Sequence, residues 1–127
     1  MKDLTYQIVR NGLDASAKRQ RVISSNIANV NTPGYKASTV QFEKELQRAI
    51  ENKGSLVTTH EKHLGGTEAS KVTGIATKSE GSSMNENGNN VDIDREMVDL
   101  AANEIYYNAL IEQVTRKLSG MSYVINR

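Results

Sequence analysis

The strongest hydrophobic pattern in the chain lies over residues 93–125. Apolar side chains recur there in alternating steps of four and three residues, the spacing of one face of a helix that packs on another helix. We therefore predict a single helix over 93–125, about 50 Å long at 1.5 Å per residue. The apolar positions taken as its contact face, called the seam below, are Ile93, Leu100, Tyr107, Ile111, Val114, Leu118, Met121 and Ile125. Glu104 is the polar residue that interrupts this spacing, either with its stem packed and its head in solvent or as a buried residue that fixes register.

Residues 3–31 carry a second helical pattern with two apolar stripes. Tyr6, Val9, Leu13, Ser16, Gln20, Ile23, Ile27 and Val30 form the first stripe, and Leu4, Ile8, Ala15 and Val22 form the second. Together the stripes make a face broad enough for more than one neighbour. Gly12 is a weak point, because glycine in a helix interior costs about 1 kcal/mol relative to alanine.

The middle of the chain has less regular patterning. Residues 39–51 show a short amphipathic repeat that predicts a helix. Residues 52–90 are rich in Gly, Ser, Thr and Asn, which favours either a loop or short strands ordered by their neighbours. We therefore predict a mostly α fold, in which two long terminal helices pair as a coiled-coil-like hairpin. A short helix and the irregular middle segment join them.

This layout divides the chain into an N-terminal helix and turn (1–36), a middle segment (37–90) and a C-terminal helix (91–127). We expect the two termini to form one domain. Only 37% of the residues are apolar, so much of the apolar surface is expected to be buried against copies or partners.

Charge and cysteine content exclude several classes of function. The net charge of +1 gives no large field for nucleic acid or an anionic membrane. The absence of cysteine removes disulfides and thiolate metal sites. No apolar run approaches the ~20 residues of a membrane span. The first residues lack the continuous apolar segment of a secretory signal.

A turn motif follows the N-terminal helix and contains the only proline of the chain. Pro33 and Gly34 are the preferred pair for the central positions of a type II turn, in which glycine takes a positive φ. Thr32, which precedes the proline, is pushed out of the helical region. The sequence therefore predicts that the helix stops here and that the chain leaves by a sharp turn.

The residues of this turn and of a second stretch resemble those of one protein family. The N-terminal motif consists of Asn26, Ile27, Ala28, Asn29, Asn31, Thr32, Pro33, Gly34 and Tyr35. The C-terminal signature consists of Asn87, Gly88, Asn89, Asn90, Val91, Asp92, Asp94, Glu96 and Met97. Both resemble the conserved segments of the flagellar axial proteins, and together they are most similar to those of the small proximal rod proteins of the flagellar basal body.

The resemblance implies a structural subunit of the proximal rod, which transmits torque from the motor to the hook and filament. The implied partners are copies of the chain and other rod proteins in a helical assembly, together with proteins of the MS-ring or export-gate junction. It also implies a location in the basal body, within the periplasm or cell-wall space, after type III export without a cleaved signal peptide. From the residues themselves we expect no cofactor, no bound metal, no nucleic-acid partner and no direct membrane span.

Other candidate sites are weaker than this resemblance. His60 and His63 are three residues apart, whereas the His-Glu-x-x-His zinc motif needs a spacing of four, so a polar loop is favoured. Asn85, Asn87, Asn89 and Glu96 occupy ligand positions of a calcium loop, but Asn90 stands where that loop needs glycine. No nucleophile–base pair, phosphate loop or Gly-x-Gly-x-x-Gly motif is present, so we expect no enzyme.

A basic cluster on the N-terminal helix leaves two other classes of function open. Arg10, Lys18, Arg19 and Arg21 could contact phosphate, although a solvated face or ion pairs between subunits are favoured. The alternatives are therefore a cytoplasmic coiled-coil adaptor or export chaperone, and a helical protein that binds nucleic acid through the Arg10–Arg21 face. A stable soluble dimer would favour the first, and salt-dependent binding to duplex DNA the second.

Overall fold

The fold was determined as a computed structural model that describes residues 4–55, 69, 71–79 and 88–125, with side chains of the second helix described as far as Glu51. The elements in chain order are α1 (Leu4–Ala28), β1 (Ser38–Gln41), α2 (Glu43–Ser55), β2 (Ile75–Lys78) and α3 (Ile93–Ile125). The predicted fold class is confirmed, because the chain is mostly helical with two long terminal helices and a short helix between them. Within the described ranges, no helix has the length and apolar content needed to cross a membrane.

The helices α1 and α3 pack antiparallel. Asn26 near the end of α1 contacts Glu96 near the start of α3. Ser16, earlier in α1, contacts Asn103, later in α3. Gly12 lies against Leu110, so that an added Cβ at Gly12 would be 3.4 Å from a Leu110 methyl carbon. The predicted hairpin of terminal helices is therefore confirmed.

The predicted seam of α3 is divided between two environments. Leu100, Tyr107, Val114 and Met121 are half-buried, but the alternate members Ile93, Ile111, Leu118 and Ile125 remain exposed. The positions more buried than these exposed members are Glu96, Asn103, Leu110 and Lys117. Each comes one residue before a position of the predicted apolar repeat. The physical reason is polar matching, since Asn26, Ser16 and Gln20 of α1 offer hydrogen bonds to Glu96 and Asn103.

A small apolar core lies beside the contact between α1 and α3, since an added Cβ at Gly12 would lie 3.4 Å from Leu110 and 3.5 Å from Phe42. It contains Ala15, Val40 and Phe42, with Val22, Leu46 and Val72 packed around them. The first stripe of α1 thus meets α3 through Ser16 and Ile23, and the second meets the core through Ala15 and Val22. The prediction that α1 serves more than one neighbour is confirmed.

The strands β1 and β2 form an antiparallel pair in which Val40 is opposite Ala76. The sequence prediction of helix over 39–51 is therefore wrong for residues 39–41, because pairing with β2 places Val40 in the core as part of a strand. The helix that follows also ends later than expected, at Ser55, whereas α1 ends earlier, at Ala28. Gly74 precedes β2 at a close approach: an added Cβ would lie 2.9 Å from the Ala15 Cβ.

Candidate assembly site

The N-terminal motif ends α1 with the predicted turn. The Tyr35 N–H donates to the Thr32 carbonyl oxygen at 3.2 Å, which closes a four-residue turn around Pro33 and Gly34. Gly34 has φ +74°, the conformation that the second central position of a type II turn requires. Asn29 supports the turn, because its Nδ2 donates to the Ser25 carbonyl at 2.7 Å and its Oδ1 accepts from the Thr32 hydroxyl.

Asn26 is the hydrogen-bond centre of the N-terminal motif. Its side chain is 1% exposed, and its amide pairs with the backbone of Ser38: Nδ2 donates to the Ser38 carbonyl at 2.8 Å and Oδ1 accepts the Ser38 N–H at 3.0 Å. The Tyr35 hydroxyl also donates to Oδ1, and Nδ2 reaches both carboxylate oxygens of Glu96 at 3.2 Å. One asparagine therefore joins α1, the start of β1 and α3.

Asn89 of the C-terminal signature binds the turn that follows α1. It is 0% exposed, and its Nδ2 lies within 2.7–3.0 Å of the carbonyl oxygens of Asn29, Val30 and Thr32. Its Oδ1 accepts the Val91 N–H at 2.8 Å, which holds its own segment in place. These three carbonyls belong to the turn that follows α1, so the Asn89 amide joins the C-terminal signature to the N-terminal motif just after the helix ends.

Further contacts join the two motifs beside Asn89. The Asn90 N–H donates to the Tyr35 carbonyl, and Asn90 Oδ1 accepts the Ala37 N–H at 2.7 Å. The Lys36 ammonium donates to the Gly88 carbonyl. Gly88 has φ +80°, and an added Cβ there would be 3.6 Å from the Gly34 Cα, so the glycines of the two motifs face each other.

The start of α3 follows directly from this network. Asp92 is the N-cap, because its Oδ1 accepts the N–H groups of Asp94 and Arg95. One turn later Glu96 is 8% exposed and points to Asn26. Burial raises the pKa of Glu96 above its usual value; the Asn26 hydrogen bond opposes this rise, and the charge of Asp99 adds to it.

The structure therefore brings together most residues of the two motifs that sequence analysis singled out. Asn31 and Met97 are exposed and take no part in the bonds described above, and Asp94 is exposed and contributes only its backbone N–H to the N-cap. Asn87 lies outside the described residues, as do His60, His63 and Asn85 of the weaker metal candidates. Among the described residues, no group of three or more His, Cys, Asp or Glu side chains could hold a metal ion.

Sequence analysis missed a second polar contact between the terminal helices. The Ser16 hydroxyl donates to Asn103 Oδ1 at 2.9 Å, and Asn103 Nδ2 donates to the Ser16 carbonyl and to Gln20 Oε1. Asn103 is thus buried at this step of α3, whereas Glu104 beside it is exposed. The signal was present in α1, because Ser16 and Gln20 interrupt an otherwise apolar stripe four residues apart.

The basic residues of α1 do not form one cluster. The Lys18 ammonium donates to the Gly74 carbonyl, and Arg19 makes a two-bonded ion pair with Glu43 at 2.7 and 3.0 Å. Burial alone would raise the pKa of Glu43, but the hydrogen bonds and charge of Arg19, with backbone N–H donors, bring the pKa below its usual value. Arg10 and Arg21 are exposed.

An open groove of about 360 Å³ lies between α1, β1 and α3. Its walls include Val22 and Tyr106, and its charged lining residues are Arg19, Glu43, Glu96 and Asp99. Burial raises the pKa of the Tyr106 hydroxyl, the charge of Glu43 adds to this, and Arg19 opposes it.

Large apolar residues are exposed along the whole of α3. Val98 is 68% exposed and Ile105 is 72% exposed, and their spacing of seven residues puts them on one face of the helix. Ile93, Met97, Ile111 and Leu118 are exposed on a second face, and Val124 and Ile125 are exposed at the end of the helix. Exposed apolar residues that share a helix face are candidates for a protein–protein contact site.

Comparison with known proteins agrees with the two motifs. A family described as "Flagella basal body rod protein" matches residues 7–36, which cover most of α1 and the turn. The chain is 35% identical over 121 residues to the flagellar basal body rod protein FlgB of Bacillus subtilis, covering 95% of this chain and 92% of that protein. It is 40% identical over 120 residues to FlgB of Borreliella burgdorferi, covering 89% of both chains, and 27% identical over 129 residues to FlgB of Escherichia coli, covering 97% and 94%. The chain therefore belongs to the FlgB family of flagellar basal body rod proteins.

Proposed function

We propose that the chain is a subunit of the proximal rod of the bacterial flagellum, where it stacks helically and carries torque from the motor towards the hook and filament. Its family makes it a structural component of the flagellar basal body rod. The family resemblance also supports contacts with other rod proteins and with proteins at the MS-ring or export-gate junction. The same resemblance supports a place in the periplasm or cell-wall space and export without a cleaved signal.

The observation that carries the mechanical part of the proposal is the divided face of α3. One side of the helix is fixed to α1 by Asn103 and Glu96, while the other side presents large apolar residues to solvent. A rigid helix pair with an uncovered apolar side can bury that side only against another chain. When such contacts join different surfaces of neighbouring copies, they produce a filament or tube and not a closed dimer.

The Asn26–Asn89 network has a defined role in this mechanism. It fixes the end of α1 to the start of α3, so that the two terminal segments (1–36 and 91–127) act as one packing unit. Buried networks in which every polar group is satisfied resist rearrangement, because breaking one bond leaves other groups unpaired. A torque-bearing subunit needs this resistance, since the load would otherwise separate its helices.

Deletion of the gene in its host tests the proposed function. We expect cells without hooks or filaments, unchanged growth, and basal bodies that lack the rod when isolated and imaged by electron microscopy. Complementation with the full chain should restore the rod. Normal flagella in the deletion strain would contradict the proposal, and a growth defect without a flagellar defect would favour another class of function.

A further inference from the structure

The groove between α1, β1 and α3 has more acidic than basic side chains among its lining residues. Three carboxylates (Glu43, Glu96 and Asp99) line it against one guanidinium, and that guanidinium is already paired with Glu43. Within the described residues the ion pairs are Arg19–Glu43, Arg48–Glu45 and Arg116–Glu112, so neither Glu96 nor Asp99 has a cation bound to it. Glu96 is more than nine-tenths buried and faces the groove.

The walls of the groove suit a long cationic side chain. Val22, Ile23 and Ala102 can cover an aliphatic stem, and Tyr106 presents an aromatic ring beside the acidic end. A guanidinium bonds two carboxylates at once through its fixed set of N–H donors, and it also stacks on aromatic rings. Arginine therefore fits this combination of groups better than lysine does.

The complementary charge lies on the opposite face of α1. Arg21 is exposed, and it stands two residues from Arg19, which turns it about 200° round the helix from the groove. Arg21 also lies at the same height along α1 as the groove, whose α1 residues are Arg19, Val22 and Ile23. Arg10 shares the exposed face, three turns away and beyond Asp14, about 16 Å along the axis.

We propose that the groove receives Arg21 from a second copy of this chain, so that neighbouring subunits interlock side by side through different surfaces. The proposal rests on the proposed function, since it names the contact between adjacent copies in the rod. Because donor and acceptor lie on opposite faces of α1, each subunit can give one arginine and accept another. Such a contact continues from copy to copy.

Cysteine cross-linking in cells tests this contact, because the chain contains no cysteine of its own. The double variant Arg21→Cys with Asp99→Cys is expressed in the deletion strain and treated with a short bis-maleimide, because an arginine that reaches a carboxylate leaves the two Cα atoms too far apart for a disulfide. A cross-link between copies should give a ladder of dimers and higher multimers. The matched pair Arg10→Cys with Asp99→Cys, in which the thiol lies three turns away, should give none. A ladder from the Arg10 pair and not from the Arg21 pair, or no ladder from either in motile cells, would overturn the proposal.

A charge exchange gives a second measurement that does not depend on thiol chemistry. Asp99 and Arg21 are both exposed, so the single variants Asp99→Arg and Arg21→Asp should fold normally. Each should lose motility, and the double variant should regain it. The proposed contact would be overturned if both single variants lost motility and the double variant did not regain it. It would also be overturned if both single variants remained motile. Either result would leave the gene-deletion test of rod function unaffected, so the two failures are distinguishable.

Discussion

Replacing Asn89 with aspartate tests whether one amide holds the two motifs together. Asn89→Asp keeps the size of the side chain and the oxygen that accepts the Val91 N–H. It replaces Nδ2 with an oxygen that would face the carbonyl oxygens of Asn29, Val30 and Thr32 at 2.7–3.0 Å. We therefore expect the end of α1 to separate from the C-terminal signature.

The magnitude follows from the hydrogen bonds that are lost. The amide has two protons for three acceptors, so the lost bonds are worth about 2–3 kcal/mol at ~1 kcal/mol each. Asn89 is 0% exposed, and an unpaired carboxylate there adds a desolvation cost of at least ~1 kcal/mol. The free energy of unfolding should fall by about 3–5 kcal/mol, a large part of the 5–15 kcal/mol typical of a domain.

Urea unfolding followed by circular dichroism measures this loss. The control is Asn90→Asp, which loses only the 3.3 Å hydrogen bond to the Ser79 carbonyl and keeps the hydrogen bond from the Ala37 N–H. The free energy of unfolding of this control should fall by about 1 kcal/mol or less. Burial should raise the pKa of the introduced carboxyl, and protonation restores one donor. The penalty should therefore shrink as the pH falls. Equal losses for the two variants, or a penalty independent of pH, would refute the reasoning.

Three further substitutions test the packing and electrostatics. Gly12→Ala should raise the free energy of unfolding by up to ~1 kcal/mol, because the added Cβ meets Leu110 at an ordinary 3.4 Å and the helix gains propensity. Gly74→Ala should lower it by about 1–3 kcal/mol, since the Cβ would lie 2.9 Å from Ala15; equal thermal melts for the two variants would contradict both expectations. Glu96→Gln tests the raised pKa of Glu96. A raised folded-state pKa stabilises the fold below the usual value of 4.5, and that contribution is lost as the pH rises through the folded pKa. Wild type should therefore gain stability relative to Glu96→Gln as the pH falls from neutral, and a constant difference would argue against burial of an ionised Glu96. The charges of Asp99 and Asp92 add to the rise in the Glu96 pKa and that of Arg95 opposes it, and all three act only in the wild type, because the glutamine does not titrate.

Local patterns predicted the long helices because local physics determines them. The α3 bounds Ile93–Ile125 coincide with the predicted 93–125, where the apolar repeat is long and Asp92 supplies an N-cap. Residues 39–41 were assigned to a helix because their strand partner, residues 75–77, lies outside any local window. The type II turn was predictable from Pro33 and Gly34 alone.

The site was only partly predictable, because its contacts join distant residues. The resemblance identified Asn26 and Asn89 as motif residues, but the contacts that join the two motifs reach a carboxylate and backbone carbonyls 57–70 positions away. The helical repeat of α3 likewise indicated an apolar face without indicating which half packs on α1. That choice depends on the polar match between Ser16 and Asn103, which a hydrophobic pattern does not record.

The central claim, that the exposed side of α3 is an assembly surface, is tested most directly by Leu118→Asp. Leu118 is 46% exposed in the single chain, so the purified variant should keep the circular dichroism spectrum of the wild type and lose only about 1 kcal/mol of stability. In the rod the new charge would be buried without a partner in every subunit, at a cost of several kcal/mol per contact. We predict a non-motile strain without hooks at normal protein levels, whereas Lys71→Asp, at an exposed position away from α3, should leave swimming near normal. Normal motility and hooks with Leu118→Asp would contradict the account.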